Sequence, residues 1–161
     1  MTTAAPRAWN VLAEVMDPEI PVLSVLDLGI VRDVHESADG HEVRVDVTPT
    51  YSGCPATEVI VADIRAALSA SYDEVDIRVR LSPAWTTDWM SQAGRDKLRE
   101  FGITPPNGRA LLPVLGEDRP DACPRCGSRD VEQLAGFGST PCKALWRCVT
   151  CREPFDYFKV H

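Results

Sequence analysis

Residues 43–68 read VRVDVTPTYSGCPATEVIVADIRAAL, a strand pattern that changes into a helix pattern. At its start valines alternate with charged residues, which is typical of a strand with one buried face. Beyond a turn rich in proline and glycine, apolar residues recur at helical spacing from Ile60 to Leu68. The stretch therefore predicts a strand followed by an amphipathic helix, with Cys54 at the junction between them.

More strand and helix patterns surround this stretch. Residues 8–16 carry apolar side chains at helical spacing, and Pro18 is expected to end that helix. Residues 28–34 (LGIVRDV) and 41–47 (HEVRVDV) flank a polar turn and predict a β-hairpin, and residues 74–82 (EVDIRVRLS) predict one more strand. The order α-β-β-α-β indicates a small α+β domain in which two helices cover one face of a three-stranded sheet.

The rest of the chain divides into a helix, a linker and a second domain. A helix is expected in DWMSQAGRDKLREFG, which ends at Gly102 and completes a first domain of residues 1–101. Residues 102–121 are rich in proline and glycine and predict a linker, whose ALLPVL segment is expected to pack against the protein. Five of the six cysteines follow, in residues 122–161, which indicates a separate small domain.

Two Cys-x-x-Cys knuckles mark this second domain, CPRCG near its start and CVTC after 21 intervening residues. Each knuckle presents two sulfurs to one ion, and this spacing is that of zinc ribbons. The predicted ligands of the metal are Cys123, Cys126, Cys148 and Cys151. Iron in the same site stays open, because tetrahedral thiolates also suit iron. With all four ligands supplied by protein, the expected role of the metal is structural.

The other metal-binding residue types lack a comparable spacing. Cys142 lies between the knuckles and is an alternative ligand, a core residue of the ribbon or a reactive group. The histidines, His35, His41 and His161, sit in no recognisable ligand spacing, so each is interpreted as an ordinary polar residue.

Composition excludes several classes of function. The formal net charge of −7 disfavours binding to nucleic acid or to an anionic membrane, and no apolar stretch is long enough for a membrane helix or resembles a signal peptide. We therefore expect a cytoplasmic protein. In that compartment cysteines are better explained as reduced thiols that bind metal or do chemistry than as disulfides.

Cys54 stands between Gly53 and Pro55 at the predicted start of a helix. If Pro55 is the first helical residue, Cys54 occupies the N-cap, where free N–H groups and the helix dipole favour a thiolate. Gly53 allows a sharp turn and leaves the sulfur approachable. The alternative is a small apolar residue tucked into a turn. Asp17 and Asp27, in two acidic stretches that precede this region, are equally typical of turn and capping residues.

The motifs MDPEIP, LDLGIV and TPTYSGCP, in this order, resemble the metal-sulfur cluster biosynthetic domain of SufT-like iron-sulfur assembly factors. The segment FGSTPCKALWRCVTCREPFDYFKVH resembles the C-terminal zinc ribbon of the PaaD family of phenylacetate-degradation proteins, and the order of the two domains is that of this family. The resemblance implies that Cys54 is the motif cysteine, that Asp17, Glu19 and Asp27 are the motif acids, and that the knuckle cysteines bind zinc.

The resemblance further implies a non-catalytic accessory protein of the phenylacetyl-CoA epoxidase system, which helps to mature the iron-sulfur centre of the system's reductase. Its expected partners are the epoxidase components, the reductase above all, and a second copy of the chain is a further possible partner. Cys54 would bind iron or a transient iron-sulfur cluster. Because one cysteine cannot hold a cluster alone, a partner would supply the other ligands. The alternatives are a structural subunit or adaptor of the oxygenase, and a thiol oxidoreductase.

Overall fold

The computed structural model describes residues 7–107 and 118–161 of the chain. The described residues fall into two compact units, one that ends at Trp85 and one that begins at Thr86. The ALLPVL segment, whose packing the sequence predicts, lies outside the described residues. No helix in the described ranges is long and apolar enough to cross a membrane.

The first unit has the predicted α-β-β-α-β order. Its elements are α1 (Arg7–Leu12), β1 (Val31–Glu36), β2 (Glu42–Val47), α2 (Ala56–Ser69) and β3 (Glu74–Val79). The three strands form one sheet in the order β1-β2-β3, in which β1 runs antiparallel and β3 parallel to β2. The predicted α+β fold with a three-stranded sheet is confirmed.

Backbone hydrogen bonds bring three chain segments to one end of this sheet. Thr48 N donates to Ile30 O at 2.8 Å, which joins the exit of β2 to the entry of β1. Arg80 N donates to Val47 O at 2.8 Å, which joins the exit of β3 to the exit of β2. The loop that follows β2, and with it Cys54, therefore starts at the same end of the sheet as the segment that leads into β1.

The first helix is shorter than the sequence predicts. It ends at Leu12 rather than near Pro18, and Met16, expected on its apolar face, is exposed. Beyond the helix the chain doubles back on itself, because Val25 N donates to Val15 O at 2.9 Å and Met16 bridges Ser24. A backbone pairing that local periodicity does not show therefore replaces the last helical turn.

The second unit contains a short helix and a four-stranded sheet. Its elements are a 3-10 turn (Thr87–Trp89), α3 (Gln92–Phe101), β4 (Ile103–Thr104), β5 (Val131–Ala135), β6 (Lys143–Cys148) and β7 (Pro154–Phe158). The strand order is β4-β7-β6-β5. The sequence predicts α3 correctly, since Ser91 caps its start by accepting from Gly94 N and Gly102 ends it at φ 91°.

The boundary between the two compact units lies after Trp85, whereas the sequence predicts the end of the first domain at residue 101. Helix α3 belongs to the second unit, where the Arg95 guanidinium donates to the carbonyls of Thr87 and Pro106, each at 2.6 Å. Strand β4, in the predicted linker, pairs with β7, so that Ile103 lies beside Asp156. Hydrogen bonds to residues outside the helix thus hold α3 in the second unit. The sequence of the helix alone does not indicate these partners.

The ribbon has a small core of its own. Trp146 on β6 and Tyr157 on β7 meet edge to face, with ring centroids 6.4 Å apart. Phe155 and Ala144 complete this core together with two of the knuckle cysteines. Burial, which strips water from the phenol, is the main cause that raises the pKa of Tyr157. The core thus adjoins the predicted metal site.

Candidate metal centre and the Cys54 pocket

The four knuckle sulfurs converge as the spacing predicts. All four ligand atoms lie within 4.8 Å of one another, with Cys123 Sγ 3.7 Å from Cys151 Sγ and Cys126 Sγ 3.5 Å from Cys148 Sγ. A tetrahedral zinc with Zn–S bonds of about 2.3 Å needs sulfurs about 3.8 Å apart. The sulfur positions therefore fit a tetrahedral ion without rearrangement of the fold.

The local backbone explains why each knuckle points two sulfurs inward. In the first knuckle Arg125 N donates to Cys123 Sγ at 3.4 Å, and in the second Cys151 N donates to Cys148 Sγ at 3.4 Å. The residue after each knuckle has positive φ, 74° at Gly127 and 61° at Arg152. Glycine adopts this conformation at low cost, whereas an arginine there is strained. The two knuckles thus share a left-handed residue after the second cysteine, while the N–H that reaches the first sulfur comes from two residues on in one and three residues on in the other.

Neighbouring groups shift the pKa values of two knuckle thiols in opposite directions. The pKa of Cys148 is lowered to about 6, above all because the N–H of Cys151 donates to the sulfur of Cys148. The N–H of Glu153 lowers the pKa of Cys151, but partial desolvation and the neighbouring sulfurs outweigh it and raise that pKa to about 12. Four thiolates this close repel one another unless a divalent ion compensates their charge. Zinc would satisfy the donor set, with no ligand position left for substrate.

Cys142 is not part of this cage. Its side chain is buried, and its sulfur lies 3.0 Å from Thr140 Oγ1. Of the three alternatives that the sequence leaves open, this position corresponds to a core residue of the ribbon.

The Cys54 loop differs by one residue from the sequence prediction. Helix α2 begins at Ala56, and Pro55, rather than Cys54, occupies the N-cap with φ −66° and ψ −23°. The turn is held by backbone groups, because Cys54 N donates to Tyr51 O at 3.1 Å and Thr57 N donates to Cys54 O at 3.2 Å. Since the carbonyl takes the capping bond, the sulfur of Cys54 is not needed to close the helix.

A surface pocket surrounds the half-buried Cys54. It is lined on one side by Val79 and Leu81, which are 47% and 58% exposed at the end of β3. Next to the cysteine, Gly53 has nothing within 4 Å of the place where a Cβ would lie, so the approach to the loop is open. The alternating pattern of the strand predicts Val79 and Leu81 as buried positions. The position of β3 at the sheet edge explains their exposure, because within the described part of the chain a strand neighbours it on one side alone.

Asp17 closes the turn that follows α1. Its carboxylate Oδ1 accepts from Glu19 N at 2.8 Å and from Ile20 N at 2.7 Å, and the side chain is buried. Glu19 itself is half-buried. These contacts are those of a turn-forming aspartate, one of the two interpretations that the sequence supports.

Asp27 has a comparable use. Its Oδ2 accepts from Ser24 N at 3.0 Å, while Ser24 Oγ accepts from Asp27 N at 3.0 Å. In the described ranges, the knuckle cysteines alone form a group of three or more potential metal ligands. The structure therefore does not assemble Asp17, Glu19, Asp27 and Cys54 into a preformed metal site, and their role as ligands stays a prediction.

The exposure of the two non-knuckle thiols predicts different reactivity. In zinc-loaded protein, iodoacetamide should alkylate Cys54 faster than Cys142 on the order of tenfold or more, because a buried thiol reacts only after local opening. Peptide mass spectrometry over a time course measures both sites in one sample. Denatured protein, in which both thiols are accessible, is the control. Equal rates in the folded protein would contradict the exposure of Cys54.

Comparison with known proteins agrees with this two-part structure. Residues 7–81 match the family model of the iron-sulfur cluster assembly protein, and residues 111–159 match that of the PaaD zinc beta ribbon domain. A relative from Escherichia coli K12, whose name makes it a putative component of 1,2-phenylacetyl-CoA epoxidase, is 48% identical over 98% of this chain and 96% of its own length. The chain belongs to the PaaD family. The family resemblance of the sequence motifs is thereby confirmed.

Other relatives of this PaaD family member match about half of the chain. A Porphyromonas gingivalis protein named "Fe-S protein maturation auxiliary factor" is 38% identical over 52% of this chain and 79% of its own. A crystal structure of a domain of unknown function, DUF59, from Bacillus anthracis superposes with a TM-score of 0.53 at 28% identity. It covers 57% of this chain and 88% of that one. The family fold is thus an assembly-type domain followed by a ribbon.

Proposed function

We propose that this chain is a non-catalytic accessory factor of a phenylacetyl-CoA epoxidase system, and that it helps to install the iron-sulfur cluster of the system's reductase. Two names support the proposal, since the relative that matches 98% of the chain is named as an epoxidase component and a relative that matches about half of it as a maturation factor. The proposal places the protein in the cytoplasm, where thiols stay reduced and able to bind metal.

The observation that carries the proposal is the setting of Cys54. It is the one cysteine of the first 122 residues, and it lies half-buried in an open pocket of the assembly-type unit. A thiol in an open pocket can exchange iron or a cluster with another protein, which a closed four-cysteine cage cannot do. The ribbon then has the separate task of holding its zinc as a structural ion.

Cluster binding at Cys54 needs ligands from elsewhere. Iron-sulfur clusters are generally held by four protein ligands, so a single thiolate can hold one only while a client or another protein supplies the rest. Asp17, Glu19 and Asp27 are the acids of this chain that the family motifs suggest. Because the carboxylates of Asp17 and Asp27 already accept backbone hydrogen bonds, their use as ligands requires the loop to rearrange.

Replacement of Cys54 by Ser tests the proposal in cells that depend on the epoxidase. We expect the reductase purified from these cells to lose most of its iron and its visible cluster absorbance, while it still co-purifies with the variant. Asp63→Asn, a change at an exposed position on α2 outside the pocket, is the matched control and should leave the cluster content unchanged. A reductase with its full cluster content beside the Cys54→Ser variant would refute the maturation role.

A second candidate function is that of an adaptor within the oxygenase. The exposed apolar pair Val79 and Leu81 favours it, because apolar side chains at a pocket rim are suited to contact with a partner protein. An adaptor would lose its partners when Leu81 is replaced by Ser and keep its function when Cys54 is replaced. A thiol oxidoreductase has less support, because the first unit offers no second cysteine for a disulfide.

A further inference from the structure

Strand β3 presents an open edge of the first sheet. It pairs with β2 on one side, where Arg80 N donates to Val47 O at 2.8 Å. Because backbone groups alternate in direction along a strand, Val75, Ile77 and Val79 turn their N–H and C=O groups away from β2. No strand of the described ranges pairs with this edge. Such a row of backbone groups is suited to pairing with another strand.

The charges along β3 are arranged in two halves about Ile77. The sequence from Glu74 to Arg80 reads EVDIRVR, with acidic residues before Ile77 and arginines after it. These charged residues are all exposed, and they alternate with the apolar ones, so they share one face of the sheet. If the strand met a reversed copy of itself about Ile77, Asp76 would lie opposite Arg78 and Glu74 opposite Arg80. Every cross-strand charge pair of that register is attractive.

We propose that two copies of this chain associate by antiparallel pairing of β3 with β3, with the two-fold axis at Ile77. Two hydrogen bonds then join the Ile77 residues, and the flanking bonds join Val75 of one copy to Val79 of the other. On the apolar face the same register places Val75 against Val79, which is half-exposed in the single chain. The two three-stranded sheets become one continuous sheet.

Three contacts of the single chain must adapt to this interface, and one of them is the ion pair of Arg80 Nε with Asp46 Oδ2 at 3.0 Å. The Arg65 guanidinium donates to Val75 O at 2.6 Å, and that carbonyl has a second lone pair for the partner strand. Arg78 Nε donates to Asp76 Oδ2 at 2.8 Å within the strand, between exposed side chains. In the dimer Asp76 and Arg78 of both copies form a cluster of four alternating charges. Each Asp76 then also faces Arg78 of the other copy.

The proposed register keeps the two Cys54 pockets of a dimer apart. What this means for cluster binding rests on the proposed function. The pocket of each copy lies at the Val79 and Leu81 end of β3, and the two strands run in opposite directions. At about 3.3 Å per residue, the two Leu81 residues lie about 26 Å apart along the strands. The two Cys54 thiols therefore do not share one cluster. Each would work with the ligands of its own client.

Charge exchange across the interface tests the proposal on the zinc-loaded full chain by sedimentation equilibrium. Wild-type protein should dimerise reversibly with concentration, and higher salt should weaken the dimer. Asp76→Arg alone and Arg78→Asp alone each place like charges opposite each other twice and should raise the dimer dissociation constant about tenfold or more. A mixture of the two variants restores both attractive pairs, so it should form the heterodimer as readily as wild type.

The mixture separates the proposed register from general effects of charge or folding. Arg99→Asp, an exposed charge reversal on α3, is the matched control and should dimerise like wild type. The proposal is overturned if wild-type protein stays monomeric at millimolar concentration, if the single variants dimerise as well as wild type, or if the mixture fails to recover the dimer. The readout is oligomeric state, so a failure of the cluster experiment leaves this result unaffected.

Discussion

Replacement of Cys148 by Ser is expected to abolish stoichiometric zinc binding and to unfold the ribbon. Cys148 is fully buried, its sulfur accepts the N–H of Cys151, and it is one of four ligands that converge within 4.8 Å. Small zinc sites of this kind supply folding free energy on the order of 10 kcal/mol, far more than a core of this size provides. A hydroxyl is a poor replacement for a thiolate ligand, so most of that free energy should be lost.

Elemental analysis and near-ultraviolet circular dichroism measure the two expected effects, loss of zinc and loss of fixed aromatic packing around Trp146. Cys142→Ser is the matched control, since it removes a buried thiol of the same unit that is not a ligand. It should cost stability but retain one zinc per chain. A Cys148→Ser variant with stoichiometric zinc and an unchanged spectrum would contradict the assignment of the metal centre.

Replacement of Ile64 by Ala is expected to destabilise the first unit by about 2–5 kcal/mol, the range for truncation of a buried isoleucine. Ile64 is fully buried on α2, the helix that follows the Cys54 loop. Domains of this size are stable by only about 5–15 kcal/mol, so the loss is a large fraction of the total. The loop that carries Cys54 should lose its conformation as α2 does.

Urea unfolding followed by far-ultraviolet circular dichroism measures this loss, with zinc content determined in parallel. Val59→Ala, an exposed position on the same helix, is the control and should change stability by less than about 1 kcal/mol. We expect the Ile64→Ala variant to keep its zinc, because the cage and its core lie within the second unit. Wild-type stability of that variant would contradict the packing of α2.

Much of the site could be predicted where neighbouring residues carry the signal. The two Cys-x-x-Cys knuckles are local turns whose spacing alone indicates a tetrahedral cage, and the sulfurs converge as predicted. The cysteine at the strand-to-helix junction is also recognisable, but its predicted position relative to the cap is wrong by one residue. That error arises because Pro55 and Cys54 are both compatible with a helix start, and Pro55 has helical φ and ψ although α2 itself begins at Ala56.

The roles of the acidic residues could not be settled from the sequence. Asp17 and Asp27 belong to motifs that suggest ligands, yet their carboxylates accept backbone N–H groups in local turns. A carboxylate offers the same oxygens to a metal or to an amide, so its residue type does not distinguish the two uses. The geometry of the turns shows the bonds to amides, and the use of these carboxylates as metal ligands stays a prediction.

By itself the sequence determined the α-β-β-α-β order of the first unit, the four cysteines that converge in the ribbon and the change of charge sign about Ile77, since periodicity and spacing are properties of adjacent residues. Tertiary structure decided which unit α3 joins, where α1 ends and that Val79 lies exposed at a sheet edge. Each of these depends on hydrogen bonds or burial between segments that pair only in the folded chain, such as Ile103 beside Asp156. Local patterns carry no record of such partners, because the same helix or strand period is compatible with several neighbours.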